Sequence, residues 1–147
     1  MGQINSIPSD REIITPYPND IPKIDQILKL MECFFINEQK VDEAFTIAKT
    51  VKAGTARDEL RQDICNAYLR LKTDSGCCKA YQVVLYMGSA QESILLDKII
   101  EACIKQKTEQ TIALADAIYT EHANCLIYSL HRGDFQTAQA ELRRVVE

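Results

Sequence analysis

The chain has 147 residues, 46% hydrophobic and 26% charged, with 17 Lys and Arg against 21 Asp and Glu for a formal charge of −4. That length holds one domain whose core buries roughly two thirds of the unfolded surface, so no metal or disulfide staple is needed for folding. The basic residues are scattered rather than gathered into a stripe, which argues against a nucleic-acid partner. The longest uncharged apolar stretch, AYQVVLYMGSAQ, is too short to span a bilayer, so no integral membrane segment is expected.

In chain order, MGQINSIPSD carries neither positive charge nor an apolar run, so it does not read as a secretory signal. Gly2 with Ser6 fits the loose N-myristoylation pattern, which makes Gly2 a lipidation candidate, although no polybasic second signal flanks it. All four prolines fall within the first 22 residues, which show no helical or alternating period, so residues 1–20 read as an extended or flexible arm. Beyond Pro22 no proline interrupts the chain, and residues 21–147 read as a single all-α domain.

The first predicted helix places Ile24, Ile27, Leu28, Met31, Phe34 and Phe35 on one stripe, with Asp20 near the cap and Pro22 in the first turn. The second follows with Val41, Ala44, Ala48 and Val51. Thr55 and Asp58 mark the start of a third, whose buried face is Ala56, Leu60, Ile64, Ala67, Tyr68 and Leu71. A fourth is expected after Gly76, over CCKAYQVVLYM. Ser89 and Glu92 form a capping box for the fifth, and the sixth starts near Thr108 with Ile112, Ala115, Ile118 and Tyr119 inside. TEHANCLIYSLH and DFQTAQAELRRVV complete eight helices without a strand, with Gly54, Gly76, Gly88 and Gly133 read as punctuation between them.

The side chains that carry chemistry are sparse. Six cysteines lie inside apolar helical patterns, where cysteine acts as a small buried hydrophobe in a reducing, cytoplasmic setting. Vicinal Cys77-Cys78 at a helix start is a thiol candidate, and His122 with Cys125, joined by His131 or Cys103, is a zinc candidate lacking a full ligand set. Asp97, Glu101 and Lys105 share one helix face, and Glu101 with Lys105 has the spacing of a plain surface ion pair. No catalytic triad or phosphate loop is visible, so the chain reads as a non-enzyme without metal or cofactor, with a thiol- or metal-dependent enzyme as the rival reading. Arg132-Gly133-Asp134 is the tripeptide of adhesion ligands, but a left-handed Gly133 closing one helix and Asp134 capping the next account for it structurally.

Leu60, Ile64 and Ala67 recur as Leu95, Ile99 and Ala102, 35 residues later, and Ala44 recurs as Ala80. Such a period predicts stacked helix pairs, each covering its neighbour's apolar face. Leu130, Gly133, Asp134, Phe135 and Ala138, with Asn66-Ala67-Tyr68 and Ala80, resemble tetratricopeptide repeats over residues 23–147. The early tryptophan and terminal proline of that family are absent, and Cys65 and Ile100 stand where it usually has glycine.

The resemblance implies a right-handed superhelix of about four antiparallel hairpins whose first helices line a concave groove for a peptide or a partner helix. In that mapping Asn66, Arg70, Asp97, Glu101, Lys105, Thr120, Ile127 and His131 face the groove, with Leu130 beside them. A protein-interaction scaffold or adaptor is the expected role. A small chaperone for a secreted bacterial substrate is the alternative, and homo-oligomerisation remains open.

Overall fold

The computed structural model describes residues 18–32, 37–52, 54–87 and 92–146. The expected arm lies outside these up to residue 17, as do Gly2, Cys33, Phe34, Phe35, Gly88 and Ser89. The described residues form a short 3-10 turn, Pro18–Asp20, and seven α-helices without a strand. These are α1 (Ile21–Met31), α2 (Glu38–Ala48), α3 (Thr55–Arg70), α4 (Asp74–Met87), α5 (Glu92–Gln106), α6 (Glu109–Glu121) and α7 (Arg132–Val146). The chain divides into two compact units, Met1–Ile64 and Cys65–Glu147, with the division inside α3.

In the first unit α1 packs on α2. Pro22 lies in the first turn of α1, where a missing N–H costs nothing. Asp20 sits at the cap position, yet its side chain does not cap the helix. It is buried and reaches the end of α2 instead, accepting a 3.1 Å bond from the Lys52 amide and pairing with Lys23 Nζ at 3.4 Å. Lys23 also donates to the Thr50 carbonyl at 3.2 Å, so Asp20 and Lys23 together stitch the start of α1 to the residues after α2. Asn37 caps α2 by accepting from the Lys40 amide at 2.9 Å, and Val41, Ala44, Phe45 and Ala48 form its buried stripe. Gly54, with φ of 148°, precedes α3 in a conformation that only glycine adopts without strain.

The second unit is built on α5, which packs against α4, α6 and α7. Leu95, Leu96, Ile99, Ile100 and Cys103 are buried along it. Each fully buried aliphatic side chain contributes about 1.5–3 kcal/mol, so this helix is the unit's hydrophobic spine. Tyr119 of α6 meets Phe135 of α7 with ring centroids 5.0 Å apart, and the Arg132 guanidinium lies 4.7 Å over the Tyr119 ring.

Two joints in this region share one construction. Lys72 and Lys107 take left-handed backbone, with φ of 56° and 51°, and each is followed by a threonine that caps the next helix. Thr73 Oγ1 accepts from the Gly76 amide at 2.9 Å, and Thr108 Oγ1 from the Thr111 amide at 3.1 Å. Thr111 Oγ1 in turn accepts from the Thr108 amide at 2.9 Å, which closes a capping box. After these caps, buried Cys77, Ala80 and Val84 stand where buried Ile112, Ala115 and Tyr119 stand in α6.

Three sequence expectations are corrected. TEHANCLIYSLH is not a helix: α6 stops at Glu121, and residues 122–131 form successive turns. Asp97 of α5 accepts a 2.6 Å bond from Ser129 Oγ and a 3.3 Å bond from the Leu130 amide, contacts that a helical segment would not offer it. Gly76 does not separate helices but lies in the first turn of α4, where a Cβ would come 2.5 Å from the Tyr68 carbonyl oxygen. Gly133 lies inside α7 without positive φ, and Asp134 is a first-turn acid rather than the cap.

Candidate functional site

Three of the residues selected from the sequence, Asp97, Glu101 and Lys105, lie on α5. Its outward side, beside the buried stripe, carries Asp97, Lys98, Glu101 and Lys105. A cavity of about 730 Å³ opens along one edge, lined by Asn66, Leu69 and Arg70 from the end of α3, Lys72 and Cys77, and Lys98, Glu101 and Lys105 of α5. Four expected residues, Asn66, Arg70, Glu101 and Lys105, thus share one wall.

The electrostatics of this cavity are one-sided. Among the described lining residues Glu101 is the one acid, and it pairs with Lys105 at 3.7 Å, while Arg70, Lys72 and Lys98 add three more positive charges. The Asn66 amide supplies a donor and an acceptor, and Leu69 and Ala102 an apolar floor. The excess of positive charge suits a carboxylate better than a cation, through charge-assisted bonds.

A second cavity of about 460 Å³ lies along the other edge of α5, with Ser93, Ile94, Asp97 and Lys98 facing Cys125, Leu126, Tyr128, Ser129, Leu130 and His131 of the turn segment. Lys98 belongs to both. The character here is apolar at the rim: Tyr128 is 91% exposed and Leu130 85%, unusual for side chains of that size. Of the expected residues, Asp97, Leu130 and His131 fall here. Asp97 is engaged with the chain itself: Tyr119 Oη lies 2.8 Å from Ser129 Oγ, which donates onward to Asp97, while the His131 amide adds a 3.3 Å bond to the same oxygen.

Thr120 and Ile127 line neither cavity. The Thr120 hydroxyl donates to the Asp116 carbonyl at 2.9 Å, and Ile127 is an exposed turn residue. Lys72 and Lys98 were missed in the sequence, although Lys98, Glu101 and Lys105 follow the three- and four-residue steps of a single face. Reading the stripe from Asp97 rotates it by one residue, toward the second cavity.

The other chemical candidates resolve as follows. His122 lies against Tyr81: Tyr81 Oη donates to Glu121 Oε2 at 2.9 Å and lies 3.0 Å from His122 Nε2, while Glu92 is 3.9 Å from His122 Nδ1. Burial first, then the bond to Glu121, push the Tyr81 hydroxyl up to about 12. Among the described residues no three His, Cys, Asp or Glu side chains gather as a metal site, and no helix is long and apolar enough to cross a membrane. Cys77 and Cys78 part company, since Cys77 is buried on the cavity wall and half-buried Cys78 accepts a 3.7 Å contact from Gln110 Nε2.

Comparison with known proteins adds no relative to this picture: no family model, no curated protein and no solved structure matches the chain.

Proposed function

We propose that the chain is a protein-interaction module that receives an extended peptide along α5, in the manner of tetratricopeptide-like helical-hairpin arrays, as a scaffold or adaptor rather than an enzyme. The observation that carries this reading is the pair of cavities sharing Lys98: one is rich in Arg70, Lys72, Lys98 and Lys105, and the other is rimmed by Ile94, Tyr128 and Leu130. A continuous ligand that spans both carries carboxylates at one end and bulky apolar side chains at the other. The right-handed stacking of successive hairpins belongs to the same proposal, supported by the shared construction of the Lys72-Thr73 and Lys107-Thr108 joints.

Selection from a random peptide library on the immobilised chain tests the reading. Enriched peptides should place Asp or Glu a few residues from an aromatic or aliphatic cluster, and Arg70→Glu with Lys105→Glu should abolish their binding. Enrichment of basic or featureless peptides, or binding indifferent to both reversals, would overturn it.

A second reading, a small chaperone, is favoured by Ile127, Tyr128 and Leu130, three large exposed side chains within four residues. It predicts suppression of a client's aggregation that is lost in Tyr128→Ser/Leu130→Ser and unaffected by charge reversal at Arg70.

A further inference from the structure

The Lys72-Thr73 and Lys107-Thr108 joints are alike in backbone and unlike in charge. Their match continues into the helices beyond: Ile100 and Cys103 are buried in α5, and Phe135 and Ala138, 35 residues later, are buried in α7. In this register Lys107 corresponds to Lys72, and Glu141 corresponds to Gln106.

At the second joint the lysine is neutralised from within the chain. Lys107 Nζ lies 2.9 Å from Glu141 Oε1, and both residues line a cavity of about 450 Å³. At the first joint Lys72 and Gln106 line the 730 Å³ cavity together, and an amide stands where the second joint has its acid. Two more differences move the balance the same way, since Lys98 and Lys105 correspond to Gly133 and Ala140. Arg70, Lys72 and Lys98 have no ion-pair partner among the described residues, and Glu101 answers Lys105. Lys72 also holds φ of 56°, which glycine would adopt with less strain. The pair with Glu141 accounts for a lysine at position 107, whereas no described partner accounts for one at position 72.

We infer that the cavity beside Lys72 is a phosphomonoester site, filled by a phosphorylated side chain of the peptide that α5 receives. The inference rests on the reading of α5 as a peptide groove and names the group that one end of that groove selects. Four cations against Glu101 leave an excess of three positive charges in the described lining. A carboxylate answers one of them. A phosphomonoester brings about −1.5 to −2 at neutral pH on three acceptor oxygens, which several separate cations can share. Lysine binds phosphate as a point charge on a flexible stem, and Arg70 adds a forked set of donors. The amides of Asn66 and Gln106 supply further donors without opposing charge. Because Lys98 also lines the second cavity, the peptide continues from the phosphate toward Ile94, Tyr128 and Leu130.

The test passes two random peptide libraries over the immobilised full-length chain, identical except for one fixed position that holds phosphoserine in one and glutamate in the other. In fluorescence anisotropy the enriched phosphopeptides should bind about tenfold more tightly than their glutamate versions, as expected for added charge-assisted bonds. Gln106→Glu, which supplies the acid that the second joint already has, should remove that preference. Lys72→Gly suits the positive φ, so it relieves backbone strain, and it should weaken phosphopeptide binding several-fold while sparing the glutamate versions more. Equal affinity for the phosphoserine and glutamate versions would overturn the phosphate site and leave the groove standing. A preference that survives both substitutions would put the phosphate elsewhere and overturn it too. Free phosphoserine or inorganic phosphate that binds as tightly as the phosphopeptides would overturn the peptide source. Enrichment from neither library would overturn the groove and the site together.

Discussion

Asp97 and Ser129 are joined across 32 residues by a 2.6 Å hydrogen bond, the contact that holds the turn segment after α6 against the side of α5. Because Asp97 also accepts from the Leu130 amide, one carboxylate satisfies both a side chain and the backbone of that segment. Asp97→Ala should destabilise the chain by about 1–2 kcal/mol, the value of charge-assisted bonds at a partly buried site. Hydrogen exchange is the sharper measurement: Leu130 should lose protection while the Ile99 and Ile100 amides of α5 keep theirs.

Arg61 is fully buried, and its three guanidinium nitrogens have no hydrogen-bond partner among the described residues. Leu96 stands 35 residues later at the matching place on α5 and is equally buried. An unpaired buried charge costs more than a hydrophobic side chain of similar size. Arg61→Leu should therefore raise stability by about 1–3 kcal/mol, read as a higher denaturant midpoint at unchanged slope. A lowered midpoint would mean that the guanidinium is satisfied in solution.

Two glycines inside helices should respond to alanine in opposite directions. At Gly76 the added methyl would meet the Tyr68 carbonyl oxygen at 2.5 Å, and since that atom is backbone, Gly76→Ala should cost about 1–3 kcal/mol by overpacking. At Gly133 nothing lies within 4 Å, and Gly133→Ala should stabilise α7 by about 0.5 kcal/mol through the unfolded state. Thermal unfolding of the two variants beside the parent checks both signs.

Tyr81 gives a pH dependence with a defined sign. Its hydroxyl is raised from 10.0 to about 12 in the folded chain, by burial and then by Glu121, so the folded state holds the proton more tightly than the unfolded state does. The resulting stability is fully present below pH 10 and is lost as pH rises toward 12. Tyr81→Phe should flatten the alkaline fall of stability across that window, and the difference in tyrosinate absorbance between folded parent and folded variant should report one hydroxyl titrating above its ordinary value.

Helix positions were legible where local period decides them. The stripe of α5 places Leu95 and Ile99 inside as their spacing requires, while Asn66, Arg70, Glu101 and Lys105, selected for a groove, line one cavity whose role as a binding surface belongs to the proposal. What escaped was set by distant partners. Leu126, Ile127 and Leu130 have helical spacing, but their segment is fastened as turns by side chains outside it, Asp97 far back in the chain together with Tyr119 and Arg132. Gly76 and Gly133 read as breaks because glycine often ends helices, whereas the joints before α4 and α6 are made by lysines, whose left-handed backbone no composition rule anticipates. The cavity's charge was undervalued for a similar reason, since Lys72 reaches it from a joint rather than from a helix face.

The lysine joints also determine how the molecule comes apart. A non-glycine residue in left-handed backbone sits about 1 kcal/mol above its relaxed state, and both Lys72 and Lys107 are exposed, so these bonds combine stored tension with access. Trypsin cleaves after lysine, and brief digestion should nick the chain at these two positions before it attacks the lysines within helices, excising α4 with α5 as one fragment.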